Sequence, residues 1–70
     1  MKVYTEDGWK AEIEIIENFS DAETEHFRVK VIRTIQESPI FNSPADGEIF
    51  EPMKLRGMGG GGFWQIVDEN

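Results

Sequence analysis

The sequence predicts an all-β domain: a small, strongly bent antiparallel meander of about five strands that closes into a barrel. Residues 9–16 and 27–35 alternate apolar and polar side chains with a period of two, as half-buried strands do. Asp-Gly pairs at 7–8 and 46–47 supply the positive φ angles that tight turns require. Signals for helices are weak along the whole chain. These observations favour strands joined by short turns.

The first hairpin is predicted at the amino-terminal end of the chain. A short strand over residues 2–4 is joined through the Asp7-Gly8 turn to the strand over 9–16. Alternation divides that second strand into an apolar face and a charged face. The apolar face carries Trp9, Ala11, Ile13 and Ile15, and the charged face carries Lys10, Glu12 and Glu14.

The second hairpin pairs the 9–16 and 27–35 strands around residues 18–26. Ser20 and Glu23 have the spacing of a capping box, so this connection is predicted as a loop with at most one helical turn. One register matches apolar with apolar and acid with base. It sets the pairs Ile15–Phe27, Ile13–Val29, Glu14–Arg28 and Glu12–Lys30.

The remaining strands are shorter and follow a proline-rich loop over residues 37–48. Pro52 lies inside the next strand, over 48–55, which predicts an edge position or a bulge. The apolar pattern favours a bulge near Glu51-Pro52, which would place Phe50, Met53 and Leu55 on one face. The last strand, over 63–69, is predicted to point Trp64 and Ile66 inward.

Closure of this meander in a chain of 70 residues predicts an SH3-like barrel. A partly open OB-like barrel is the alternative. No motif of either class of barrel protein is present, and architectural analogy alone carries no function.

The composition indicates one domain over residues 1–70, which is small for a hydrophobic core. The absence of cysteine excludes disulfides and thiolate metal sites. Apolar runs are too short for a transmembrane helix, and the amino terminus lacks the apolar segment of a signal peptide. We therefore expect a cytoplasmic protein that makes no contact with a membrane.

The glycine run over residues 57–62 contains the string G-x-G-x-x-G at Gly57, Gly59 and Gly62. A dinucleotide site would also need a following helix and an acidic residue about 20 positions later, and the apolar strand pattern that follows leaves room for neither. We interpret residues 57–62 as a flexible connection between two strands and expect no cofactor.

Candidate chemical sites are few. Six acids lie between residues 11 and 27, but the glycine and the closing glutamate of a calcium loop are missing, so no metal site is predicted. The single histidine, His26, has no nucleophile motif to accompany it. An enzyme is therefore not expected.

The net charge of −7 disfavours nucleic acid and anionic membranes as partners. The sequence instead favours a non-enzymatic module that binds another protein through a barrel edge or an exposed aromatic surface, with acids steering a basic partner. The candidate contact residues are Trp9, Phe41, Phe63, Glu23 and Glu25. A nucleic-acid-binding barrel is the alternative, through Arg28, Lys30, Arg33, Lys54 and Arg56. We expect a monomer or a weak edge-paired dimer.

Overall fold

The computed structural model describes residues 1–57 and 64–69. These residues form one antiparallel sheet of six strands and no helix, which confirms the all-β class. The strands are β1 (Lys2–Glu6), β2 (Trp9–Asn18), β3 (Thr24–Gln36), β4 (Ile49–Phe50), β5 (Met53–Leu55) and β6 (Gln65–Asp68). Their order in the sheet is β4-β3-β2-β1-β6, and β5 also pairs with β3. Within the described residues, β5 and β6 share no ladder, so hydrogen bonds do not close the sheet into a barrel.

The β1–β2 hairpin forms at the predicted turn. Asp7 has a φ of 49° and Gly8 a φ of 87°, and Glu6 pairs with Trp9 on either side of them. Asp tolerates this left-handed region better than most residues, and glycine adopts it without steric cost. The Asp-Gly pair therefore sets where β1 ends and β2 begins.

The predicted register of the β2–β3 hairpin is wrong by two residues. The structure pairs Ile15 with Val29 and Ile13 with Val31, where the sequence analysis expected Phe27 and Val29. Both registers match apolar with apolar and acid with base, so alternation alone does not distinguish them. The observed connection is shorter, because β2 continues to Asn18 and β3 already begins at Thr24.

Hydrogen bonds at the hairpin tip account for this shorter connection. The carboxylate of Asp21 accepts the backbone N–H groups of Glu23 and Thr24, each at 2.8 Å. The backbone N–H of Phe19 donates to the carbonyl of His26 at 2.8 Å. These bonds hold the tip as a loop without a helical turn, although Ser20 and Glu23 have capping-box spacing.

Three irregularities bend the β2–β3 ladder. Each shift of register leaves one isoleucine without a partner: Ile16 in β2, and Ile32 and Ile35 in β3. All three side chains are exposed. An extra residue on one strand increases the local twist and bend, which curves this long hairpin around the core.

The strand interrupted by Pro52 contains no bulge, contrary to the prediction. β4 and β5 pair with β3 in one continuous register, with Phe50 opposite Val29 and Met53 opposite His26. The residues between them stay in phase, since the N–H of Phe27 donates to the carbonyl of Pro52 at 3.1 Å. Phe50 therefore faces the core while Met53 faces outward. The strand lies at an edge, the less favoured of the two predicted outcomes, because β4 ends the sheet order.

The core lies on the inner face of the curved sheet. Its fully buried members are Tyr4, Trp9, Ala11, Ile13, Val29, Val31 and Trp64. Ile66 packs against this cluster, so the predicted inward direction of Trp64 and Ile66 is confirmed. None of the described residues forms a helix long and apolar enough to span a membrane.

Candidate functional site

Two strand edges face each other where the sheet remains open. β5 is antiparallel to β3, and β6 is antiparallel to β1. Since β1 and β3 are both antiparallel to β2, β5 and β6 run in the same direction. We call the gap between these two edges the β5–β6 seam.

The edge of β6 presents backbone groups to the seam. Met1 and Glu69 exchange two backbone hydrogen bonds, at 2.6 and 2.8 Å. In an antiparallel pair, hydrogen-bonded residues alternate with residues whose N–H and C=O point away from the partner strand. Val67 therefore bonds to β1, whereas Ile66 and Asp68 direct their N–H and C=O into the seam. Neither of these two residues has a backbone partner in the described part of the chain.

The edge of β5 shows the same alternation. The carbonyl of Pro52 and the N–H of Arg56 both bond to the β3 side of the strand, through Phe27 and Glu23 respectively. Met53 and Leu55 lie between them, so their backbone groups point into the seam. Two strand edges thus direct backbone groups into the same gap, and none of these groups has a backbone partner within residues 1–57 and 64–69.

One set of side-chain contacts bridges the seam. The Nζ of Lys54 donates to the carbonyl of Trp64 at 2.7 Å and lies 4.6 Å from the centroid of its ring. The Nε1 of Trp64 donates to the carbonyl of Met53 at 3.3 Å. Glu25 lies 3.6 Å from the Lys54 ammonium. We call these contacts the Lys54–Trp64 bridge; they fasten β5 to the start of β6 without a ladder.

A groove of about 500 Å³ opens beside this bridge on the inner face. Its floor is apolar, formed by Ile15, Phe27 and Ile66, and two ion pairs border it. These pairs are Lys54–Glu25, and Lys2–Asp68 at 3.0 Å. The groove offers apolar surface and both signs of charge to whatever enters the seam.

Apolar side chains flank the seam on the outer face as well. Met53 and Leu55 on β5 are 63% and 54% exposed, and Val67 on β6 is 40% exposed. Large apolar side chains that line both sides of an unpaired gap are typical of a contact surface rather than of a solvated one.

The aromatic residues predicted to contact a partner lie elsewhere. Trp9 is 1% exposed and packs beneath the sheet, so its ring offers no surface to a partner. Phe41 is half-buried, with its ring edge against Trp9 at a centroid distance of 6.1 Å. This contact closes the proline-rich loop over the core. Phe63 and the predicted flexible connection over 57–62, apart from Gly57, lie outside the described residues.

The two acids predicted to steer a partner differ in their surroundings. Glu25 lies between two cations, 3.6 Å from Lys54 and 3.9 Å from Arg56. Glu23, at the hairpin tip, is exposed and makes no ion pair within the described residues. Of these two acids, Glu23 alone has a charge that no cation in the described part of the chain compensates.

The basic residues of the nucleic-acid alternative are mostly compensated. Arg28 contacts the carboxylates of both Glu17 and Glu51. Arg33 pairs with Glu12, and Lys54 and Arg56 share Glu25. Of these five cations, Lys30 alone has no ion pair in the described part of the chain. This arrangement weakens the case for a phosphate-binding face.

The single histidine belongs to a surface network. His26 Nε2 lies 3.2 Å from a Glu51 oxygen, and the Arg28 guanidinium approaches the other oxygen at 3.3 Å. The hydrogen bond with His26, followed by the contacts with Arg28, lowers the pKa of the Glu51 carboxyl. Within the described residues, no three potential metal ligands cluster. The arrangement ties β3 to the residues between β4 and β5.

The seam residues are not evident from the sequence, for an identifiable reason. Pro52 was compatible with an edge strand or a bulge, and the favoured bulge turned Met53 and Leu55 toward the core. The outward direction of the Ile66 and Asp68 backbone follows from the β1–β6 register, which the sequence analysis did not predict.

Comparison with known proteins finds no matching family model, no matching curated protein and no matching solved structure.

Proposed function

We propose that this chain is a non-enzymatic protein-binding module that takes up an extended segment of a partner by strand addition at the edge of β6. The observation that carries the proposal is the β6 edge, which has no backbone partner within the described residues: Ile66 and Asp68 direct donors and acceptors away from β1, beside a groove with an apolar floor and a charged border. Exposed strand edges recruit extended peptides through main-chain hydrogen bonds, and neighbouring pockets supply specificity.

The architecture supports this mode of binding. The last strand returns to pair with the first, and β4 and β5 act as one strand interrupted at Pro52. We infer an SH3-like barrel of five strand runs that is open at the β5–β6 seam. A scaffold of this kind holds the β6 edge in place, so little conformational entropy is lost there on binding.

The charge of the chain favours a basic partner. The net charge is −7, and several acids, Glu23 among them, have no cation beside them in the described residues. Such a field attracts a positively charged segment from a distance and repels nucleic acid.

Proline at position 68 tests the proposal with little disturbance of the fold. The N–H of Asp68 points into the seam, so Asp68→Pro removes a donor from the open edge and leaves the β1 ladder intact. Asp68→Ala is the matched control, because it also loses the exposed pair with Lys2 yet keeps the N–H.

The experiment is capture from cell lysate with the wild-type chain and both variants, followed by identification of the bound species. Proteins retained by the wild type and by Asp68→Ala, and lost with Asp68→Pro, support strand addition. Equal retention by the two variants contradicts it. Recovery of nuclease-sensitive material would favour the nucleic-acid alternative. Sedimentation of the same three proteins shows whether this edge pairs two copies of the chain.

A further inference from the structure

We propose that the partner segment inserts into the β5–β6 seam as a single strand that pairs with both edges at once and completes the barrel. This inference rests on the proposed function, since it assumes that an extended segment binds at β6. It goes further in assigning β5 as the second half of the site.

Strand direction permits the insertion. β5 and β6 run in the same direction, so a strand that runs the opposite way is antiparallel to both of its neighbours. The completed barrel would then contain antiparallel pairs throughout. A direct β5–β6 ladder would instead be the only parallel pair in a sheet that is otherwise antiparallel.

Along both edges, the backbone hydrogen-bonding groups and the side chains alternate in direction from one residue to the next. The two patterns of alternation are such that a single inserted strand can match both. In an antiparallel sheet, each residue of a central strand directs its N–H and C=O to one neighbour, and the next residue directs them to the other. On β6 the groups that point into the seam belong to Ile66 and Asp68, whose side chains lie on the inner face with Tyr4 and Lys2. On β5 they belong to Met53 and Leu55, whose side chains lie on the outer face. The Met53 carbonyl already accepts from Trp64 Nε1, so Leu55 is the residue of β5 that both donates to and accepts from an inserted strand.

One inserted strand can bond to both edges while its side chains alternate between the inner and the outer face. Its inward-facing residues would bond to Ile66 and Asp68, and its outward-facing residues would bond to Leu55. Had Leu55 faced inward, no single strand could have paired with both edges while keeping its side chains alternating. The match between two edges that are far apart in sequence is the strongest support for the inference.

The width of the gap is compatible with one strand. At the Lys54–Trp64 bridge, a lysine side chain and one hydrogen bond of 2.7 Å span the two backbones. A single inserted strand needs two strand spacings, about 9.6 Å, and no Cα of β5 lies within 8 Å of a Cα of β6. On the β6 side of this gap, the groove is lined by Ile66 and Val67.

Side-chain chemistry along the seam specifies the partner. Outward-facing positions of the inserted strand would lie between Leu55 on β5 and the outward-facing Gln65 and Val67 on β6. Leu55 and Val67 are both exposed and apolar. These positions therefore select apolar residues, β-branched ones above all. Inward-facing positions meet the groove with its two bordering ion pairs. The expected ligand is an extended segment without proline that has apolar residues at alternate positions.

Matched variants on the two edges test the inference. Leu55→Pro removes the N–H that points into the seam and spares the bonds to β3, and Leu55→Ala shortens the side chain but keeps that N–H. Asp68→Pro and Asp68→Ala form the corresponding pair on β6. The probe is the set of peptides that a displayed random library yields against the wild-type chain, with the dissociation constant of each measured on all four variants.

We expect each proline variant to bind these peptides at least about five-fold more weakly than its alanine control, which is the effect of losing one hydrogen bond. If Asp68→Pro binds the peptides more weakly than Asp68→Ala, but Leu55→Pro binds them as tightly as Leu55→Ala, insertion into the seam is wrong. Strand addition at β6 would then still hold. Equal binding by every proline and alanine pair, or a library that yields no peptide, would overturn both proposals. Circular dichroism of the variants distinguishes lost binding from lost folding.

Discussion

Lys54 makes three favourable contacts with a single ammonium group. It donates to the Trp64 carbonyl, lies over the Trp64 ring and faces Glu25, while only 20% of its side chain is exposed. Each contact is stronger here than at the surface, because neighbouring atoms exclude water from the ammonium. The side chain thus joins β5 to β6 where the backbone does not.

We expect Lys54→Met to lower the free energy of unfolding by about 1–2 kcal/mol, since it removes a charge-assisted hydrogen bond and a cation–π contact. Denaturation in urea measures this change. Lys30→Met is the control, because Lys30 is exposed and has no ion pair in the described residues; a surface change of that kind costs less than about 0.5 kcal/mol. Equal losses for the two variants would contradict a role for the Lys54–Trp64 bridge in stability.

Glu51 gives the surface network a pH dependence. Hydrogen bonding with His26, and then with Arg28, lowers the pKa of its carboxyl below the ordinary value of about 4.3. A carboxyl whose pKa is lower in the folded chain contributes stability above its unfolded pKa, and this contribution is lost as the pH falls through the folded value. We therefore expect Glu51→Gln to be less stable than the wild type at pH 6, with the difference shrinking below pH 4. Thermal unfolding across this range measures the difference, and a constant difference at every pH would contradict the assignment.

At the scale of elements, the β2–β3 hairpin shows what alternation can and cannot determine. Alternation predicted both strands and the inward direction of Ile13 and Ile15. It did not determine the register, because a shift by two residues keeps every side chain on its face. The tip determines it, through the bonds that Asp21 accepts from the backbone. These bonds depend on local geometry that binary patterning does not encode.

The strand that contains Pro52 shows where the assumption that apolar residues are buried gives a wrong result. Local chemistry limited this strand to an edge position or a bulge, since proline cannot donate to a ladder. The bulge was then assumed in order to bury Met53 and Leu55, and the structure exposes them. Assigning apolar residues to the core by default therefore concealed the residues that make the seam a candidate site.

Replacement of Asp21 tests the role of the hairpin tip. We expect Asp21→Ala to lower the melting temperature, because the N–H groups of Glu23 and Thr24 lose their acceptor. Asp21→Asn keeps a side-chain oxygen at the same position and should lower the melting temperature less. Thermal unfolding followed by circular dichroism measures both. Identical melting temperatures for the two variants would show that this acceptor does not hold the turn.

For the whole molecule, the positions of the charged side chains affect the approach of a partner more than the net charge does. Six of the seven basic side chains pair with a carboxylate, and these pairs involve six of the fourteen acids. The other eight acids have no ion pair within the described residues, and they account for the negative field around the chain. They are Glu6, Asp7, Glu14, Asp21, Glu23, Glu37, Asp46 and Glu48.

The position of these acids predicts how a basic partner approaches. Glu23 lies at the β2–β3 tip, close to Glu25 at the margin of the seam groove, whereas Asp7 lies in the β1–β2 turn at the opposite end of β2. Charges near the site accelerate association more than distant ones, and salt screens both beyond about 10 Å at 0.1 M. A basic peptide should therefore associate more slowly as salt rises, with little change in its dissociation rate.

Glu23→Gln should slow this association and flatten its dependence on salt, and Asp7→Asn should do so less although it removes the same charge. Asn tolerates the positive φ at position 7, so the comparison leaves the turn intact. Stopped-flow measurements with a lysine-containing peptide selected on the wild type, at several ionic strengths, give both rates. If the two variants behave alike, net charge alone governs the encounter. If salt leaves the association rate unchanged, apolar contact in the seam governs it without help from the acids, and acidic steering is excluded.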